Sequence, residues 1–140
     1  MNTQNQNGYM LLYRTDEWYN RLSQEELQKL IGQNQAWFAN LTAEGKAKPG
    51  RALERTGVTV SGRNGRFVMD GPFAESKEAI GGYFYLTVAG EEEALAIAQQ
   101  CPGLEHGCVV EVRPVAEMCT VRARMLEHEA RTGQLAGAAA

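Results

Sequence analysis

Ser23 and Glu26, three residues apart at the head of a long apolar-periodic run, restrict this chain's fold more than any other feature. The S-x-x-E spacing lets the Ser side chain accept from the Glu backbone N–H while the Glu carboxylate accepts from the Ser backbone N–H, so a helix starts there. Leu22 and Leu27 are placed to close a hydrophobic staple across that start, and Gly45 is a natural stop. Between them Leu27, Leu30, Ile31, Phe38 and Leu41 recur at helical spacing on one face. A long helix with one apolar face must cover something, and residues 8–15 (GYMLLYRT), just before it, read as a largely buried strand.

The rest of the chain supplies the remaining strands. Val58-Thr59-Val60 and Phe67-Val68-Met69 flank Arg63-Asn64-Gly65, and Asn-Gly between strand-like runs is the strongest short hairpin signal. Gly71-Pro72 ends the second hairpin strand, because proline has no N–H to donate and a fixed φ. Residues 83–88 (YFYLTV) form another strand, 91–100 a second helix ended by Pro102-Gly103, and 108–115 a last strand. Strand, helix, two or three strands, helix, strand is the order of an α+β, ferredoxin-like (split βαβ) fold. Its antiparallel sheet carries two helices on one face. The other face holds enough aromatic residues to favour a homodimer packed through it.

With 140 residues the chain is sized for one domain with a single core. Its boundaries are read as a flexible tail over residues 1–7, a domain over 8–115, and an extension over 116–140 that is part helical with a disordered end. Fourteen basic against 17 acidic residues leave a net charge of −3, with no basic stripe of the kind that binds nucleic acid. The polar start lacks a signal peptide's basic and apolar regions, and no run approaches the roughly 18 apolar residues of a membrane span. A cytoplasmic location is expected. Cys101, Cys108 and Cys119 show no CxxC spacing, and the local cluster Cys101, His106 and Cys108 offers only three ligands, too few for a closed metal site.

Candidate functional residues fall in three places. Asp70 ends a hairpin strand at a turn followed by Phe73, Glu75, Lys77 and Glu78, and it is the best candidate for a catalytic base. The competing role for Asp70 is capping the amides of its own turn. Glu111 and Arg113 alternate with Val110, Val112 and Val115, so both point to one face of the last strand, the face without helices, where charges are expected to be paired or to face a cleft. Within the first helix, Asn34 interrupts the apolar stripe with Trp37 one turn on, and a polar gap in a packing face is either a wet pocket or a hydrogen-bonded core amide. No Ser-His-Asp, HExxH, phosphate-loop or nucleotide motif occurs, so no cofactor is expected.

Taken with their order, Tyr9-Met10-Leu11-Leu12, Asp70-Gly71-Pro72-Phe73-Ala74-Glu75-Ser76-Lys77-Glu78, Gly81-Gly82-Tyr83, Cys101-Pro102 and Val110-Glu111-Val112-Arg113-Pro114-Val115 resemble the YCII-related superfamily, in its DGPF-motif branch. The resemblance implies a ferredoxin-like dimer with clefts near the subunit interface. In some similar proteins it implies a His-Asp pair, with the histidine on the first helix and the aspartate before the proline that ends the second. This chain has Asn34 and Gln35 on the first helix and Cys101 before Pro102, so that dyad does not carry over. The resemblance also suggests linkage to an extracytoplasmic-function sigma factor. The expectation is therefore a dimeric protein binding a small polar or anionic metabolite near Asp70, Phe73, Glu111, Arg113 and the Asn34–Trp37 face. Cofactor-independent lyase or isomerase chemistry would run through Asp70. The alternative is a non-enzymatic regulatory or interaction protein in a sigma-factor system, without direct nucleic-acid or membrane contact.

Overall fold

Along β1 (Tyr9–Arg14), Tyr9, Leu11 and Tyr13 point to one side of the sheet and Met10 and Leu12 to the other, as strand alternation requires. The structure is a computed structural model that describes residues 7–14, 16–71 and 80–133. The chain continues through α1 (Gln24–Ala43), β2 (Ala47–Ala52), β3 (Thr59–Arg63), β4 (Arg66–Asp70), β5 (Ile80–Leu86), α2 (Glu91–Ala98), β6 (Val110–Pro114) and α3 (Thr120–Thr132). Two single-turn 3-10 segments, Trp18–Arg21 and Pro102–His106, precede α1 and β6.

The main sheet has the order β2-β5-β1-β6 with every neighbouring pair antiparallel. Leaving out the β3–β4 hairpin, strand and helix order is βαββαβ, which is the split βαβ arrangement of an α+β protein. Both α1 and α2 cover the same face. Leu41 of α1 and Ala94, Ile97 and Ala98 of α2 join Tyr9, Leu11, Phe84 and Leu86 in one buried cluster. The opposite face is set by register: Met10 stands between Tyr85 and Arg113, and Leu12 between Tyr83 and Glu111.

The capping box forms as expected, with Ser23 Oγ accepting from the Glu26 N–H at 3.1 Å and Glu26 Oε1 from the Ser23 N–H at 2.9 Å. Three other expectations shift. Ile31 is not on the packing face but 55% exposed, because Leu30 and Leu41 alone among the α1 residues are buried. The segment around Arg51-Ala52, whose sequence suggests only a short extended stretch, is a six-residue sheet strand, β2, on the edge. The Asn64-Gly65 hairpin does form, with Asn64 at φ 55° and Gly65 at φ 79°, but as a separate two-stranded sheet inserted between β2 and β5. Every residue of β3 and β4 is exposed. Gly71 closes the hairpin at φ 125°, where an added Cβ would lie 2.5 Å from the Gly57 carbonyl oxygen, so a glycine is required at that approach. The extension holds α3 over Thr120–Thr132, with no buried residue, and the expected disordered end falls beyond the described residues. Among the described residues no helix is long and apolar enough to cross a membrane.

Candidate ligand cavity

Where the edge strand β2 bulges between Lys48 and Arg51, the sheet opens toward α1. Pro49 sits in that bulge, and an edge strand is where a proline's missing N–H does least harm. Gly50 is fixed by contact: an added Cβ would lie 1.9 Å from the Tyr83 carbonyl oxygen and 2.8 Å from its ring. The gap between this bulge, Gly81-Gly82 of β5 and the C-terminal half of α1 is a cavity of about 630 Å³. That volume falls within the range of small-molecule sites.

Its floor is aromatic. Phe84 is 6% exposed, and the rings of Phe38, Trp37 and Tyr13 meet it edge-on or tilted at 5.1, 5.6 and 6.1 Å. Into these walls α1 brings two polar groups that are out of balance with their surroundings. Asn34 Oδ1 and Trp37 Nε1 are both buried and have no hydrogen-bond partner among the described residues. They are three residues apart, hence neighbours on one helix face, and both residues line the cavity. A buried polar atom left unpaired costs about 1–3 kcal/mol, so a fold that keeps an acceptor and a donor unpaired side by side carries a destabilisation that a bound group would relieve. Burial pushes the Tyr13 hydroxyl far above its ordinary pKa, so it is a neutral phenol that can donate but not act as a base. Arg51 borders the cavity at its outer edge, and no carboxylate or histidine is among the described residues that line it.

The residues singled out in the sequence therefore separate. Asn34 and Trp37 are together in the cavity. Glu111 and Arg113 project from the opposite sheet face, exposed, with the Arg113 Nε 3.9 Å from the Glu111 carboxylate. Asp70 is exposed at the end of the protruding hairpin. Phe73, Glu75, Lys77 and Glu78 lie outside the described residues. Within one protomer, then, the single cleft expected to gather Asp70, Glu111 and Arg113 with the Asn34–Trp37 face is not formed, because strand alternation sends the last-strand charges away from α1. Tyr13, Arg51, Gly50 and the Gly81-Gly82 pair were not anticipated as cavity residues. The Pro49-Gly50 pair beside an edge strand was the signal that could have marked them.

The chain is thus an α+β protein whose helices cover one sheet face and whose sheet edge holds a cavity floored by aromatic rings. The family model for the YCII-related domain matches residues 9–119, the chain up to the start of α3, and the protein belongs to that family. No curated protein matches it.

Proposed function

We propose that this YCII-related protein, of the DGPF branch, binds a small amphipathic metabolite in the cavity between α1 and the β2–β5 edge. The observation that carries the proposal is the paired, unsatisfied Asn34 Oδ1 and Trp37 Nε1. One group that donates to the first and accepts from the second, such as a carboxamide, a protonated carboxylic acid or an enol, would satisfy both. The rings of Phe38, Tyr13 and Phe84 would enclose an apolar body, and Arg51 would attract an anionic tail. Catalysis is the weaker reading because Asp70 lies outside the cavity; a lyase or isomerase step would need its carboxylate delivered by the hairpin of a second copy.

A second copy is the partner the open face supports. Met10, Tyr83 and Tyr85 lie there beside Glu111 and Arg113, an aromatic surface that a second copy would cover across a two-fold axis. The regulatory reading, contact with a sigma factor or another protein, draws on the hairpin, whose apolar side carries Val60, Phe67 and Met69 at 63, 79 and 71% exposure.

A thermal-shift screen of small carboxamides, aryl carboxylic acids and enol lactones tests the proposal. A ligand at a hundred times its Kd stabilises the native state by about 2.7 kcal/mol, and Asn34→Leu and Trp37→Phe should remove the shift while Asp70→Asn leaves it. Hits that survive both cavity substitutions would refute it. Sedimentation as a monomer at micromolar concentration would refute the dimer.

A further inference from the structure

The β3–β4 hairpin is a two-stranded ribbon, and two strands alone are marginal in water. Every residue of both strands is exposed, Val68 at 61% among them. The ladder pairs Thr59 with Asp70, Val60 with Met69, Ser61 with Val68, Gly62 with Phe67 and Arg63 with Arg66, which divides the ribbon into two sides. Val60, Gly62, Phe67 and Met69 share one side, where the Phe67 ring lies 3.2 Å from the place a Gly62 Cβ would take. Arg66, Val68 and Asp70 share the other with Thr59, Ser61 and Arg63.

Among the described residues neither strand has a second neighbour, so each leaves an edge open. The two edges differ. β4 reads Arg66-Phe67-Val68-Met69-Asp70, with no proline and no break of register to blunt it. Laid antiparallel to itself about Val68, this strand meets its own complement: Arg66 falls opposite the other copy's Asp70, Phe67 opposite Met69, and Val68 opposite Val68. A two-fold axis repeats each pair. The same operation on β3 sets Thr59 against Arg63 and Val60 against Gly62, which gives no charge pair and leaves each valine facing a hydrogen. Backbone phase selects the same register. The Asn64-Gly65 turn closes on the Arg63–Arg66 pair, and alternation from there aims the N–H and C=O of Phe67 and Met69 at the outer edge. With Val68 on the axis those two residues stand opposite one another, as a hydrogen-bonded pair must.

We infer that β4 is a self-complementary edge through which two copies of this chain join their hairpins into one four-stranded antiparallel ribbon. Its apolar side then presents Val60, Phe67 and Met69 of both copies as one surface, and its other side closes an Arg66–Asp70 pair at each end of the central valines. Asp70 holds the other copy's arginine in this arrangement. The interface uses no residue of the helix-free sheet face.

Cysteine cross-linking reads the register directly. A Cys119→Ser background leaves only Cys101 and Cys108, both buried, and the five β4 positions are exposed, so substitutions there leave the folded body intact. Across the axis the Cα atoms at position 68 lie about 4.5 Å apart, within disulfide reach, whereas position 67 is about 8 Å from its own counterpart and position 69 likewise. On mild oxidation Val68→Cys should give a covalent dimer. Phe67→Cys and Met69→Cys should each stay monomeric on a denaturing gel and cross-link only when mixed. No dimer from Val68→Cys, or equal self-linking at 67, 68 and 69, would overturn the inference. Charge reversal is the second measurement: in sedimentation Asp70→Arg should weaken association by about tenfold, because like charges then meet at both ends of the ribbon, and adding Arg66→Asp should restore it. Association indifferent to Asp70→Arg, or lost without rescue, would also overturn it. A dimer through the helix-free face neither brings two cysteines at 68 together nor responds to charge at 66 and 70, so the two interfaces are read separately.

Discussion

Replacing Asn34 with leucine should make the free protein more stable. In the native state Asn34 Oδ1 is buried without a partner among the described residues, and the residue interrupts the apolar stripe of its helix. Relieving one unpaired buried acceptor should return about 1 kcal/mol, the low end of the usual range because the residue is only half-buried. Leucine also exceeds asparagine in helix propensity by about 0.5 kcal/mol. The sum, about 1.5 kcal/mol, corresponds to a rise of about 5 °C in Tm for a domain of this size. Asn40→Leu on the same helix is the control, since Asn40 is exposed and its change reports propensity alone. Thermal and urea unfolding of the three proteins separate the two contributions. If Asn34→Leu stabilises no more than Asn40→Leu, or destabilises by about 1 kcal/mol as loss of a satisfied core amide would, the amide is structural and the cavity loses its chief argument.

Other perturbations should behave as follows. Phe84→Ala removes the ring that Tyr13, Trp37 and Phe38 all pack against, and urea unfolding should show a loss of about 3–5 kcal/mol together with loss of ligand-induced shifts. Ser23→Ala deletes the α1 cap and should cost about 1 kcal/mol. The Glu26 carboxyl is held below its ordinary range by the Ser23 backbone N–H, so the cap's contribution is present above the ordinary glutamate pKa and fades as pH falls through the lowered value; Glu26→Gln should flatten that part of the stability–pH curve. Alkylation of Cys101 should rise with pH through about 7, where its thiolate appears, and Tyr13→Phe, which removes one donor, should move that rise upward.

The fold was legible wherever a local rule coincided with a tertiary need. The Ser23–Glu26 box starts α1 because its partners are three residues apart and require nothing from elsewhere, and Asn64-Gly65 makes its turn for the same reason. What local rules do not say is which sheet a hairpin joins. Val58, Val60, Phe67 and Met69 carry strand propensity, yet nothing in their pattern distinguishes a core strand from an arm with every residue exposed. Of the site, Asn34 and Trp37 could be found because a polar residue interrupts an apolar period. Tyr13 and Arg51 reach the same cavity from strands far apart in sequence, through a register that only pairing of β1 with β5 and β5 with β2 establishes. Alternation with Val110 and Val112 put Glu111 and Arg113 on the helix-free face, where their register with Leu12 and Met10 holds them, but alternation alone does not say that Asp70, on a separate hairpin, stands apart from both.

The protein has two tryptophans, Trp18 and Trp37, so a ¹⁵N-labelled sample gives two indole N–H signals, one inside the cavity and one over the Pro102–His106 turn. Titration with a small carboxamide or aryl carboxylic acid identified by thermal shift should move the Trp37 indole signal downfield as its unpaired donor gains an acceptor, leave Trp18 in place, and leave the Trp37 signal still in Asn34→Leu. Movement of Trp18 alone, or of neither signal while the ligand still stabilises the protein, would place binding elsewhere and contradict the account.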